Sequence, residues 1–285
     1  MVFVVEARPS DSPFVDQIWR ARSEHAGSII SIAASHWEMV VTRHEGRTPT
    51  LTVRGPETRA TALHYPVDGE WLGIRFRLGT VMPPLPASEL VDEAVTLPDA
   101  GSQSFWLYGS TWHFPDFENA DAFVDRLIRH DLLAREPVVE AALQGQVNDL
   151  SSRSVQRRFR QTTGLTQTTI RQIERARLAM ALLQHGASIL DAVHLAGYCD
   201  QPHLTRSLKR FLGQTPAQIL GMCQPGYLSF LYKTLPDCRA MIETIAPLPG
   251  RTRIADSRSE HAPLERDDRS DPPPCSLHGA GEASG

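Results

Sequence analysis

The 285-residue sequence lacks features that would place it in several classes of protein. It has only four cysteines, and none of them forms the CxxC spacing of zinc and redox motifs. They are Cys199, Cys223, Cys238 and Cys275. No stretch approaches the roughly 18 consecutive apolar residues that cross a bilayer, and Glu6, Arg8 and Pro9 stand where a signal peptide would be apolar. We therefore expect reduced thiols, no membrane partner and a cytoplasmic location.

The composition is otherwise that of an ordinary globular protein. Hydrophobic residues make up 41% and charged residues 22% of the chain, which argues against a collagen, a coiled coil or a wholly disordered protein. Single cores stop growing at about 250 to 300 residues, so the length favours two domains.

Charge is distributed unevenly along the chain. The formal net charge is -4, which alone argues mildly against a nucleic-acid partner. Residues 150–220, however, contain ten basic and three acidic side chains, a net charge of +7, and the remainder therefore carries -11. This asymmetry fits a DNA-binding module joined to a part with another task. An arginine-rich helical surface paired with the acidic part would fit the charge equally well.

The first 115 or so residues have the pattern of short β-strands. In residues 70–78, Leu72, Ile74, Phe76 and Leu78 alternate with more polar side chains, which is the period of a half-buried strand. Shorter apolar runs at 39–42, 50–53 and 60–65 are separated by glycine and proline. They predict a small antiparallel sheet or barrel.

From Asn119, a predicted N-cap, the apolar spacing becomes helical. Further helices are predicted after Pro137 and over 153–162, 167–184, 189–196 and 202–212. Glycines 145, 164, 186, 197 and 213 weaken or end them. From Pro249 onward the chain has too little apolar content to offset its ordering entropy, and we expect it to be disordered.

The last two of these helices, joined through Gly197, have the layout of a helix-turn-helix. In the second helix Leu204, Leu208 and Phe211 are predicted to face inward. Five polar side chains are left facing outward, namely Gln201, His203, Arg206, Lys209 and Arg210. The first three are of types that read base edges, and the last two are better placed for phosphate.

Two stretches resemble the DNA-binding domain of AraC/XylS-type transcription regulators. The run 189–211, ILDAVHLAGYCDQPHLTRSLKRF, followed by Gly213, Thr215 and Pro216, resembles the second helix-turn-helix of that family. The run 150–159, LSSRSVQRRF, followed by 163–166, TGLT, resembles the recognition helix of the first. Together they cover about 70 residues, and the N-terminal half is only loosely similar to the family's sensor domains.

The resemblance implies two helix-turn-helix units that read successive major grooves, joined by one long helix. It places base-reading residues at Arg153, Gln156 and Arg157 in the first unit and at Gln201, His203 and Arg206 in the second. The scaffold helix before the first reading helix is short, so the arginines of that unit could instead hold phosphate. Three further arginines on the joining helix are expected on a solvated or phosphate-facing side, namely Arg171, Arg175 and Arg177.

We therefore expect an α+β protein with a β-rich N-terminal domain and an all-α double helix-turn-helix domain. The predicted segments are a sensor or dimerisation domain at 1–118, the DNA-binding domain at 119–222, a packed extension at 223–248 and a disordered tail at 249–285. The predicted function is effector-responsive, sequence-specific transcription regulation, with no enzymatic activity and no cofactor. Double-stranded DNA is the expected partner, and RNA polymerase, a small-molecule effector and a second copy of the chain are further candidates.

One alternative of another class is a metal-dependent barrel enzyme with an appended helical module. It depends on five histidines in the β-rich half, although none of them has the close alternating spacing that places two imidazoles on one strand face. They are His25, His36, His44, His64 and His113. An aromatic group in the same half fits either a ligand pocket or ordinary core, and its members are Trp71, Trp106, Tyr108, Trp112 and Phe114.

Overall fold

A computed structural model of the protein describes residues 3–146 and 150–221. The predicted extension at 223–248 and the predicted tail at 249–285 lie outside the described residues. Within them, strands come first and helices follow, which confirms the α+β class.

The strands are short and occupy the N-terminal half. In chain order they are β1 (Phe3–Arg8), β2 (Val15–Ser23), β3 (Gly27–Ser31), β4 (Glu38–His44), β5 (Thr50–Arg54), β6 (Thr61–Tyr65), β7 (Gly69–Phe76), β8 (Thr80–Val81), β9 (Ala94–Thr96), β10 (Asp99–Gly101), β11 (Ser104–Leu107), β12 (Ser110–His113) and β13 (Ala134–Arg135). A single 3-10 turn among the described residues, Ala87–Glu89, lies between β8 and β9.

The four helices whose bounds were predicted, from 152 to 212, agree with the prediction within one residue at each end, whereas a last short helix at Pro216–Gly221 was not predicted. The helices are α1 (Ala120–Arg129), α2 (Pro137–Leu143), α3 (Ser152–Thr163), α4 (Gln167–Gln184), α5 (Ile189–Leu195), α6 (Gln201–Leu212) and α7 (Pro216–Gly221). No helix in the described part of the chain is long and apolar enough to cross a membrane.

The main sheet has six strands in the order β1-β2-β7-β4-β5-β9, all antiparallel to their neighbours. As the alternation predicts, Leu72, Ile74 and Phe76 of β7 are buried on one face. Leu78 differs from the prediction because β7 ends at Phe76, and its side chain packs against the helical core instead.

The two faces of the sheet are covered differently. One face packs against α1 and β11–β12 in the larger N-terminal core, where Trp112 and Phe114 are buried. The other face carries Trp19 and Trp71 and faces the two-stranded antiparallel sheet formed by β3 and β6. Gly73 is needed there because a Cβ at that position would lie only 2.0 Å from the Trp19 ring. Of the predicted aromatic group, Trp106 and Tyr108 are exposed instead.

Helix α1 packs with the sheet and not with the later helices. Its buried residues Ala120, Phe123, Val124 and Leu127 belong to the N-terminal core. The first helix that contributes residues to the helical core is α2, through Val139 and Ala142. We therefore propose a boundary between α1 and α2 in place of 118/119.

Asn119 occupies the N-cap position of α1, but its side chain makes no capping hydrogen bond. Its Oδ1 instead accepts a hydrogen bond from the Asp116 backbone N–H at 2.9 Å. The predicted position was thus correct, whereas the side chain stabilises the preceding turn.

The helical core is built around α4. It includes Ile170, Ile173 and Met180 of this helix and, from the N-terminal half, Ile32 and Ala33. The two halves of the chain therefore share this core.

Candidate nucleic-acid interface

The helix α6 begins at a side-chain cap and ends at a glycine. The Asp200 carboxylate accepts a hydrogen bond from the His203 backbone N–H at 2.6 Å, which satisfies one of the free N–H groups of the first turn. Gly213 follows the last residue with φ of 72°, a left-handed conformation that glycine adopts without strain. Both signals are visible in the sequence, which is why the bounds were predictable.

One face of α6 is buried and the other is open to solvent. Leu204 and Leu208 are 0% exposed and Phe211 is 3% exposed, so this face is fixed against the helical core. Gln201, Arg206, Lys209 and Arg210, by contrast, are all exposed. The predicted division of the helix into a packed and a free face is what the structure shows.

His203 differs from the other predicted base-reading residues. It is only half-buried, and its ring meets the Tyr198 ring edge-on, with centroids 5.1 Å apart. Its imidazole is thereby held at one orientation beside the turn.

The turn between α5 and α6 is held by several side chains. Ser188 and Asp191 form a reciprocal capping box at the start of α5, and Gly197 makes the turn with φ of 70°. Tyr198 is 6% exposed, and its hydroxyl is 2.8 Å from Ser207 Oγ of α6. These contacts fix the angle between α5 and α6.

Arg175 of α4 reaches this same turn. Its guanidinium lies 4.7 Å from the centroid of the Tyr198 ring, and Nη1 donates to the Gly197 carbonyl at 3.4 Å. Arg175 is half-buried and contacts the second unit, whereas the sequence predicted a solvated or phosphate-facing side chain. Arg171, at the start of the same helix, is exposed, in agreement with the prediction.

In the first unit, α3 presents a basic surface. Ser151 caps the helix by accepting from the Ser154 N–H at 3.3 Å, and Phe159 is 2% exposed and packs into the core. The three residues predicted to read bases, Arg153, Gln156 and Arg157, are all exposed. The preceding helix α2 has only seven residues, as the sequence indicated.

The prediction for Arg177 was wrong. Its side chain is 6% exposed, and Nη2 donates to the Ala33 carbonyl of the N-terminal half at 2.9 Å. The signal was present in the spacing, since Arg177 lies seven residues after Ile170 and four after Ile173, on the apolar stripe of α4.

The N-terminal half also holds the C-terminal end of α6. The carbonyl of Phe211 accepts from the Ala33 N–H at 2.8 Å, and that of Arg210 from the Ala60 N–H at 2.9 Å. Carbonyls in the last turn of a helix have no partner within the helix. Two of those in α6 are therefore satisfied by the N-terminal half, a contact that sequence reasoning missed.

Comparison with known proteins agrees with this geometry. Residues 146–222 match the family model described as a helix-turn-helix domain. The HTH-type transcriptional regulator RipA of Corynebacterium glutamicum is 29% identical over 102 residues, which cover 34% of this chain and 31% of that protein. RipA of Corynebacterium diphtheriae is 36% identical over 81 residues, covering 28% of this chain and 23% of that protein. The chain thus spans less than a third of the length of these relatives, and no solved structure matches.

The packed and free faces of α6, the turn at Gly197 and the family match define a helix-turn-helix DNA-binding domain at residues 146–222. The RipA relatives, both named as HTH-type transcriptional regulators, agree with the resemblance of this domain to that of AraC/XylS-type regulators.

Proposed function

We propose that the protein is a sequence-specific, effector-responsive transcription regulator and not an enzyme. The observation that carries this function is the exposed polar face of α6, whose opposite face is fixed in the core by Leu204, Leu208 and Phe211. A rigid helix with a free polar face can enter the major groove of DNA. The RipA relatives, which are named as transcriptional regulators, support the same function.

Within α6 we assign base contacts to Gln201, His203 and Arg206. Arginine can bind guanine O6 and N7 with two hydrogen bonds, and glutamine can bind adenine N6 and N7 in the same way. Lys209 and Arg210 are exposed near the C-terminal end of α6, and we assign them to phosphates. The Arg210 guanidinium lies 5.0 Å from the centroid of the Phe211 ring, so that this side chain is partly positioned before DNA binds.

The first unit is proposed to bind the adjacent groove through Arg153, Gln156 and Arg157. The 18 residues of α4 span about 27 Å, close to one turn of DNA once the flanking helices are added. The exposure of these three side chains fits contacts with bases and contacts with phosphates equally well. Substituting each base pair of the groove next to α3 would distinguish the two, because phosphate contacts carry no direct sequence information and the affinity would then not depend on those bases.

The N-terminal half is proposed to sense a small molecule, on the evidence of a cavity between the main sheet and the two-stranded β3–β6 sheet. Contacts with RNA polymerase, formation of a homodimer and a cytoplasmic location stay predictions from the family resemblance. No observation favours the metal-dependent enzyme, because the described residues contain no group of three or more His, Cys, Asp or Glu side chains that could hold a metal ion.

The test is binding of the purified protein to DNA from upstream of its own coding sequence and to a scrambled duplex, by fluorescence anisotropy. We expect Arg206→Ala to weaken binding to the specific duplex by about 1 to 3 kcal/mol and to affect the scrambled duplex much less. Affinity for both duplexes should fall steeply with salt because phosphate contacts release counterions.

Arg171→Ala is the matched control, because it removes an exposed arginine of the same domain from outside the two reading helices. This substitution should change the affinity of the protein for both duplexes by the same factor. The assignment of α6 as a reading helix is wrong if Arg206→Ala leaves the affinity ratio of the two duplexes unchanged.

A further inference from the structure

The cavity of the N-terminal half has a volume of about 150 Å³. One part of its wall is aromatic and apolar, with Trp19, Tyr65, Trp71 and Leu63. An apolar cavity of roughly this volume holds a molecule the size of benzene. The cavity therefore has room for a compact apolar body.

Acidic groups on the cavity wall are already engaged by the protein. Arg54 lies 2.6 Å from Glu57 and 3.7 Å from Glu38. Glu57 also accepts from Ser31 Oγ at 2.7 Å, and Glu38 accepts from Trp19 Nε1 at 3.2 Å. These contacts occupy both carboxylates.

Positive charge on the wall is in excess. Arg75 and Arg177 both line the cavity beside His36. Burial lowers the pKa of Arg75 and the charge of Arg177 lowers it further, whereas the carboxylates of Glu38, Asp16 and Glu174 offset part of the shift. Burial likewise holds the pKa of His36 well below its ordinary value, followed by the charges of Arg75 and Arg177. A negative charge placed near all three groups would relieve this repulsion.

Arg177 has capacity for another acceptor. Its Nη1 is 3.7 Å from Glu174, which is long for a charged hydrogen bond. Arg177 Nε is buried and has no hydrogen-bond partner among the residues that the structure describes. A buried donor of this kind costs free energy unless it is satisfied.

We propose that this cavity binds a small organic carboxylate, with the anionic group between Arg75 and Arg177 and the apolar part against the Trp19–Trp71 wall. This inference rests on the proposed regulatory function, because it names the chemical class of the effector. Guanidinium groups bind carboxylates through paired, charge-assisted hydrogen bonds, and the aromatic wall adds apolar burial.

Arg177 connects this site to the DNA-binding domain. It belongs to α4, the helix between the two helix-turn-helix units, and it donates to the Ala33 carbonyl. The N–H of the same Ala33 donates to the Phe211 carbonyl at the end of α6. A carboxylate bound to Arg177 thus contacts a chain of hydrogen bonds that ends at α6, and any change that it causes in DNA affinity is matched by an equal effect of DNA on carboxylate affinity.

Hexanoate and hexanamide test the need for charge, because they have nearly the same shape and differ in charge. We expect hexanoate to raise the melting temperature of the full-length protein, since a ligand of the native state stabilises it. Hexanamide and sulfate should give little or no shift. An equal shift with hexanamide would overturn the role of charge, an equal shift with sulfate would overturn the role of the apolar wall, and no shift with hexanoate would overturn the site.

Variants locate the anion. Arg177→Gln and Arg75→Gln should each weaken hexanoate binding, measured by calorimetry, by about tenfold or more, the contribution of one charge-assisted hydrogen bond. Arg171→Gln makes the same charge change at an exposed position on α4 and should leave binding unchanged. If Arg177→Gln does not fold, hexanoate binding to Arg75→Gln tests the placement of the carboxylate group. Unchanged hexanoate binding in the folded variants would overturn the placement.

DNA binding separates this inference from the proposed function. We expect hexanoate to change the affinity of the wild-type protein for its upstream DNA, and folded Arg177→Gln to need about tenfold or more hexanoate for the same change. If DNA binding is specific but hexanoate neither binds nor changes it, the effector class is wrong and the regulator function stands. If hexanoate binds and no duplex is bound specifically, the proposed function fails and the anion site stands.

Discussion

Tyr198 joins the two helices of the second helix-turn-helix unit through one buried hydrogen bond. Its hydroxyl is 2.8 Å from Ser207 Oγ, and the two residues are 6% and 9% exposed. Because the phenol and the Ser207 hydroxyl pair with each other, removing one leaves the other buried without this partner. Burial also raises the pKa of Tyr198, so the hydroxyl stays protonated at neutral pH.

We predict that Tyr198→Phe lowers the free energy of unfolding by about 1 to 2 kcal/mol, the cost of leaving a buried hydroxyl unsatisfied. The double variant Tyr198→Phe with Ser207→Ala should cost less than the sum of the two single variants, as urea denaturation will measure. Tyr108→Phe is the control, because Tyr108 is 73% exposed and its substitution should have little effect. Strict additivity in the double variant would show that the hydrogen bond contributes nothing.

His36 makes stability depend on pH. Its pKa is well below the ordinary value in the folded protein, mainly because of burial and then because of Arg75 and Arg177. The unfolded chain then binds more protons than the folded protein once the pH falls below about 6.5. Stability is complete above that pH and is lost as the pH falls towards the folded pKa.

We therefore predict that the free energy of unfolding decreases as the pH falls below about 6.5, and that His36→Gln flattens this part of the profile. His64→Gln is the control, since His64 is exposed. Denaturant titrations at several pH values will measure both slopes. A wild-type slope that His36→Gln leaves intact would assign the pH dependence to other groups.

At the scale of single elements, the N-cap sets where α6, the proposed reading helix, begins. The Asp200 carboxylate accepts from the His203 N–H, within the turn that carries Gln201 and His203. We predict that Asp200→Ala lowers the free energy of unfolding by about 0.5 to 2 kcal/mol, whereas Asp200→Asn, which keeps an acceptor oxygen, has a much smaller effect. Chemical denaturation of both variants will test this, and equal losses would mean that charge and not capping is responsible.

Helix bounds were predictable because their causes are local. Ser151, Ser188, Gly164, Gly186 and Gly213 stand in the sequence at the ends of the helices that they cap or end. The 167–184 helix was predicted to the residue for this reason. The inward and outward faces of α6 likewise follow from helical spacing alone.

Strand pairing and the contacts across the two halves were not predictable, because they join residues far apart in sequence. β2 pairs with β7, and α6 ends on backbone groups near residues 33 and 60. Arg177 was assigned to solvent because its charge outweighed its position on the apolar stripe. The buried charge of Arg177 is compensated by Glu174 and by the Ala33 carbonyl, which lies 144 residues away in sequence.

At the scale of the whole molecule, the N-terminal half and the helical half are expected to unfold as one unit. Ile32 and Ala33 of the N-terminal half belong to the helical core, and two carbonyls of α6 depend on N-terminal backbone donors. The chain also provides separate probes, since its five tryptophans all lie within the first 112 residues, whereas α2–α7 all follow residue 136. Tryptophan fluorescence therefore follows the unfolding of the N-terminal half, and far-ultraviolet circular dichroism follows mainly the unfolding of the helices.

We predict that thermal unfolding followed by these two signals has coincident midpoints, as in a two-state transition. Ile32→Ala, which leaves a space where an N-terminal residue enters the helical core, should lower both midpoints together at a cost of about 2 to 5 kcal/mol. Val95→Ala is the control, because Val95 is 38% exposed. Separate midpoints, or a shift of only the dichroism signal in Ile32→Ala, would show that the halves unfold independently and that the contacts through Ala33 are too weak to transmit an effector's binding to α6.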